Sequence, residues 1–109
     1  MKEILKTGTF IKWFKKLKDL TGKYLIAARI SRLEEDNFGD AKPVGEGVSE
    51  MRIDYGPGYR VYFKDTGKEI IILLCGGDKA TQQKDIAKAK ELAKTALNGY
   101  EGETDGKNQ

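Results

Sequence analysis

The side chains that could do chemistry here are cations and acids, because the usual catalytic tools are missing. The chain has no histidine, and Cys75 is its one cysteine. Histidine is the commonest general base near neutral pH and the commonest zinc ligand. No metal site and no cofactor are therefore expected, and acid–base steps fall to Lys, Arg, Tyr, Asp or Glu, of which Arg is poorly suited because of its high pKa. Within Ser49 to Lys79, SEMRIDYGPGYRVYFKDTGKEIIILLCGGDK, stand Arg52, Arg60 and Lys79, close to glycine-rich turns. A planar guanidinium binds two oxygens of a phosphate at once, and fixed cations steady charge as it develops. Handling of phosphate is the chemistry these residues suggest.

The elements that must position them are three consecutive strands. Glu50 to Tyr55 alternates, with Met51 and Ile53 on one side and Glu50, Arg52 and Asp54 on the other. Gly56-Pro57-Gly58 is a turn, and Tyr59 to Lys64 alternates again, with Val61 and Phe63 opposite Arg60 and Tyr62. Asp65-Thr66-Gly67-Lys68 is a second turn, and Ile70 to Leu74 is continuously apolar, as in a strand covered on both faces. Period-two runs bounded by Gly, Pro and Asp predict a meander with one apolar face. The other face carries Arg52, Arg60 and Tyr62. Cys75 ends the third strand and reads as a small packed residue.

Upstream, Lys2 to Lys6 reads as a short edge strand. Thr9 is expected to cap a first helix over 10–20, with the stripe Phe10, Trp13, Phe14, Leu17 and Leu20. Thr21-Gly22 is expected to break it before a second helix over 23–35, with the stripe Ile26, Ile30 and Leu33. Helices joined so closely pack as an antiparallel hairpin. Ala41 to Val48, with Pro43, Gly45 and Gly47, reads as a loop or an irregular lead-in. After the meander, Thr81 is expected to cap a third helix with the apolar face Ile86, Ala89, Ala93, Ala96 and Leu97, ended by Asn98-Gly99. The fold class is α+β: a small, mostly antiparallel sheet of about four strands, an N-terminal two-helix hairpin and a C-terminal helix. The helices are expected to cover one face and leave the arginine face partly open.

At 109 residues the chain holds one core. One domain is expected over 1–98, with a polar, disordered tail over 99–109. The net charge of +3 is uneven: residues 1–24 carry seven lysines against Glu3 and Asp19, a net +5. A basic face favours a polyanion such as RNA, although lysine-rich helix surfaces are often merely solvated. No apolar run nears the length of a membrane span and no signal peptide is recognisable, so a cytoplasmic protein without membrane contact is expected.

The run FGDAKPVGEGVSEMRIDYGPGYRVYF, followed by ILLCGGDKATQQKDIAKAKELA, resembles the RelE/ParE superfamily of toxins from bacterial toxin–antitoxin modules. Within it the chain is most similar to the HigB-like, phage-related addiction-module killer proteins. The resemblance spans residues 9–97, through a Glu-x-Arg strand, the Gly-Pro-Gly-Tyr-Arg-Val-Tyr hairpin and Gly-Gly-Asp-Lys-x-Thr-Gln. It implies a fold like a stripped microbial ribonuclease. It implies cleavage of mRNA, commonly on the ribosome, and a cognate antitoxin protein as partner. ParE-type members poison DNA gyrase instead, and a non-enzymatic RNA-binding regulator is a further alternative.

Carried over by position, the catalytic candidates are Arg60, Lys79 and Arg52; by their side-chain chemistry, the RNA-contacting candidates are Tyr59, Tyr62 and Gln82. The family's terminal-helix tyrosine has no match, since Asp85 stands in its place, and the general base is left unassigned. Arg60 and Lys79 suit the phosphate, whereas Arg52 serves equally as a cross-strand partner of the neighbouring acids. Lys79 sits where a helix N-terminus disfavours positive charge, which points to function. Tyr59 and Tyr62 either stack on a base or pack into the sheet. Gln82 either reads a base edge or is solvated.

Overall fold

The computed structural model describes residues 1–96. The helix end expected at Asn98-Gly99, the boundary at residue 98 and the tail lie outside the described residues. The element order is β1 (Glu3–Lys6), α1 (Gly8–Lys16), α2 (Leu20–Glu34), β2 (Ala41–Gly45), β3 (Val48–Ile53), β4 (Tyr59–Asp65), β5 (Ile70–Asp78), a 3-10 turn (Lys79–Thr81) and α3 (Gln82–Ala96). The strands form one sheet in the order β1-β5-β4-β3-β2. Only β1 runs parallel to its neighbour, β5. The α+β class, the helical hairpin and the mostly antiparallel sheet are as the sequence predicts.

The expected meander is β3-β4-β5, with Met51 opposite Val61 and Arg52 opposite Arg60. Pleating sends Met51, Val61, Phe63, Ile71 and Leu73 to one face, where Phe10, Ile26 and Leu33 of the hairpin bury them. Val48, Tyr62, Ile72 and Leu74 go to the other face, under Ala89, Ala93 and Ala96 of α3. The arginine face is thus not left open by the helices. Small alanines let α3 lie close on it, and the end at Arg52 stays uncovered, with Arg60 buried beside it.

The helix boundaries differ from expectation through their caps. Thr7, not Thr9, caps α1 by accepting from the Phe10 amide at 3.0 Å. The break falls at Leu17-Lys18, because Asp19 caps α2 by accepting from the Gly22 amide at 3.0 Å. Thr21-Gly22 therefore lies in the first turn of α2. Gly22 is there for space: a Cβ would come within 2.6 Å of the Tyr59 ring. Leu20 opens α2 and is 79% exposed, so it leaves the apolar stripe of α1. Asp78, not Thr81, caps the last helical segment, and Thr81 returns the bond to the Asp78 amide as a capping box.

Ala41–Gly45 is a fifth strand rather than a loop, paired to β3 through a register shift between Pro43 and Gly45. Proline is tolerated there because the strand lies at the sheet edge. Cys75 sits inside β5 rather than at its end, buried against α3. Burial pushes its thiol up to about 12, which suits a packed residue and not a reactive one.

Candidate active site

β3 and β4 place Arg52 and Arg60 directly opposite each other. The turn after β5 brings Lys79 alongside, its amide donating to the Pro57 carbonyl at 3.4 Å. These cations line one groove of about 440 Å³, together with Asp40, Asp54 and the Gly56-Pro57-Gly58 turn. Gly58 lies between two of them. A Cβ on it would stand 3.4 Å from Lys79 Cβ and 3.5 Å from Arg60 Nη1. Its φ of +80° is one that glycine adopts without strain.

Arg60 is the deepest of the group, 8% exposed. Its Nη1 donates to the Gly58 carbonyl at 3.2 Å, and its Nε lies 3.7 Å from Glu50 Oε2. Glu50 is fully buried and accepts from Tyr62 Oη at 3.0 Å and from Gln82 Nε2 at 2.7 Å. Arg52 lies nearer the rim, where its Nη2 pairs with Asp40 Oδ1 at 3.4 Å. That acid is Asp40, not Glu50 or Asp54 as the cross-strand reading expects, because α3 draws Glu50 inward. Lys79 is exposed and has no ion-pair partner among the described residues.

The aromatic candidates are elsewhere. Tyr62 is fully buried, with its hydroxyl spent on Glu50, so its ring cannot stack on a base. Burial first, then the Glu50 contact, pushes its phenol far up. Tyr59 is 6% exposed, packs edge-on against Trp13 and donates to Asp19 Oδ2 at 2.9 Å. Desolvation and that hydrogen bond push it up to about 12. Both rings belong to the sheet. Gln82 is half-buried and committed to Glu50. The space beside Gly76 and Gly77 is likewise filled by the chain itself, by Trp13 and Asp85 respectively.

Sequence reading missed Arg29. Its Nη1 donates to the Arg52 carbonyl at 2.6 Å and its Nη2 to the Phe38 carbonyl at 3.3 Å, clamping β3 at the groove. Desolvation lowers its pKa. It also missed the burial of Glu50. The small-residue face of α3 was the available signal, since a helix lying that close must cover the polar side chains beneath it. No cluster of three or more His, Cys, Asp or Glu able to hold a metal ion occurs among the described residues. No helix among them is long and apolar enough to cross a membrane.

A hairpin of helices on one sheet face, a terminal helix on the other and a cationic groove at the uncovered end define a RelE-type fold. The free-state structure of an E. coli toxin RelE double mutant superposes with a TM-score of 0.64, covering 83% of this chain and 95% of that one at 16% identity. The chain belongs to the family described as phage derived protein Gp49-like (DUF891), a family of RelE-like toxins, which matches residues 12–98. An uncharacterized protein of Haemophilus influenzae is 56% identical over 91 residues, 84% of this chain and 92% of that protein. Family membership implies an antitoxin partner.

Proposed function

We propose that this toxin is a metal-independent endoribonuclease that cleaves mRNA, on the ribosome, and is held in check by its antitoxin. The observation that carries the reading is the meeting of Arg52, Arg60 and Lys79 in one groove. In the reaction the RNA 2′-oxygen attacks the adjacent phosphorus and the bond to the 5′-oxygen breaks, leaving a 2′,3′-cyclic phosphate. Arg60, locked by Glu50 and Gly58, presents a preorganised donor to the phosphate oxygens. Arg52 adds charge at the rim. Lys79 is free to reach the departing 5′-oxygen and give it a proton. Two carboxylates line the groove, and Asp40 is engaged by Arg52, so Asp54 is the group that takes the 2′ proton.

The test is induced expression in bacteria, with growth and the 5′ ends of cellular mRNA followed for the parent, Lys79→Ala and Asp54→Asn. Removing one donor that meets the transition state should slow cleavage roughly a hundredfold. New 5′ ends that appear equally in all three proteins would place the chemistry elsewhere. Growth arrest without new 5′ ends would favour the ParE-type reading, poisoning of DNA gyrase.

A further inference from the structure

β5 has a strand on both sides for only part of its length. β1 pairs with it from Ile70 to Leu73. The last bonds on that side come from Thr7, whose amide donates to the Leu73 carbonyl at 3.1 Å and whose hydroxyl donates to the Leu74 carbonyl at 2.6 Å. The chain then climbs onto one sheet face as α1. β4 continues along the opposite side of β5 as far as Asp78. From Cys75 onward the edge away from β4 has no strand against it among the described residues.

Cys75 and Gly76, where that open edge begins, line a groove of about 550 Å³, larger than the one holding Arg60. Lys12 and Lys16 of α1 stand on one wall, and Lys84 and Lys88 of α3 on the other. A spacing of four puts each pair on a single helix face. None of these lysines has a carboxylate within ion-pair distance among the described residues. Trp13 covers Gly76 so closely that a Cβ there would come within 2.3 Å of its ring. Asp85, the acid in the groove, is 8% exposed and accepts from Thr81 Oγ1, and the four lysines outnumber it.

We propose that this slot docks an extended acidic segment of a protein partner, added as a strand to the open edge of β5. Main-chain groups of the strand edge would supply affinity, as in other cases of strand addition. Side chains of an added strand alternate between sheet faces. One residue would meet the α1 lysines and the next the α3 lysines, so the slot selects consecutive acids rather than every second one. A nucleic acid offers the same charge but no amide ladder to match the strand edge. The proposal takes the partner's identity, an antitoxin, from the toxin reading and rests on it for that alone.

Trp13 is the chain's one tryptophan and therefore reports on the groove. The full chain is titrated at low salt with an all-glutamate peptide of about eight residues, a strand's length. The same peptide N-methylated at alternate amides and a single-stranded oligouridylate serve as comparisons. The expected result is a shift in Trp13 emission and binding about tenfold or more tighter for the unmethylated peptide. Lys12→Glu and Lys84→Glu should each weaken it about tenfold. Equal affinity for both peptides overturns strand addition. Oligouridylate binding that is lost in the same variants, without peptide binding, makes the groove an RNA site. No emission change with any probe means that the lysines only guard the edge against self-pairing. Growth arrest by a chain that binds no peptide overturns the dock and leaves the toxin reading standing.

Discussion

Arg60 Nε lies 3.7 Å from Glu50 Oε2, with side chains 10% and 0% exposed. Glu50 Oε1 and Arg60 Nε are both buried without a hydrogen-bond partner. Such a pair adds little net stability, but removing one partner strands the other's charge. Glu50→Ala and Arg60→Ala should each lower stability by about 3–5 kcal/mol, and the double variant by clearly less than the sum. Urea denaturation of the three proteins measures this. Additive losses would mean that the two side chains are not coupled. Loss of toxicity in Arg60→Ala would therefore mix catalysis with unfolding, and Lys79→Ala is the cleaner probe.

Gly58 and Gly67 allow backbone strain to be separated from the site. Their φ angles are +80° and +79°. Alanine at either should cost about 1–2 kcal/mol for the left-handed conformation. A Cβ at Gly67 meets nothing within 4 Å, whereas one at Gly58 meets Lys79 Cβ and Arg60 Nη1. Similar losses of stability are expected, with cleavage impaired only in Gly58→Ala. Equal activity in the two variants would remove the Arg60–Gly58–Lys79 spacing from the mechanism.

Gly77 tests how closely α3 lies on the sheet. A Cβ there would fall 1.8 Å from Asp85 Oδ2, within a helix segment tied down by the Asp78–Thr81 capping box. Gly77→Ala should cost about 1–3 kcal/mol by overpacking. Adding Asp85→Ala should recover part of that loss in thermal melts. A double variant no better than Gly77→Ala would show that the strain lies in the backbone and not against Asp85.

The sheet core was legible because Met51, Val61 and Phe63 alternate, and Ile70 to Leu74 is apolar throughout. What alternation cannot tell is which element covers the second face. That face carries Glu50, Arg60 and Tyr62, and reads as solvent-facing until α3 is placed on it. The helix starts were misplaced for a similar reason. Thr9, Thr7 and Asp19 are all competent caps, and the choice between them is made by tertiary contacts: Thr7 also bonds β5 and Asp19 also bonds Tyr59. Arg52, Arg60 and Lys79 could be picked out as residue types. The clamp from Arg29 depends on a bond between residues 23 positions apart, which no local pattern announces.

Tyr59 joins the hairpin to the sheet, and its titration gives a pH test of that junction. Asp19 Oδ2 accepts its hydroxyl while Asp19 Oδ1 caps α2. Desolvation, with the Asp19 hydrogen bond second, raises the Tyr59 pKa from 10.0 to about 12. The folded state therefore holds this proton more tightly than the unfolded state does. The contribution is fully present below about pH 10 and is lost as pH rises toward 12, because the unfolded chain ionises first. Cys75 and Tyr62, also shifted upward by burial, push in the same direction. Tyr59→Phe should cost about 1 kcal/mol near neutral pH for the lost hydrogen bond. Its stability should then fall less steeply than the parent's through the alkaline window. Urea midpoints followed by Trp13 emission from about pH 8 to about pH 11 test this. Parallel curves for the two proteins would show that Tyr59 ionises alike in both states and that its bond to Asp19 does not anchor the hairpin.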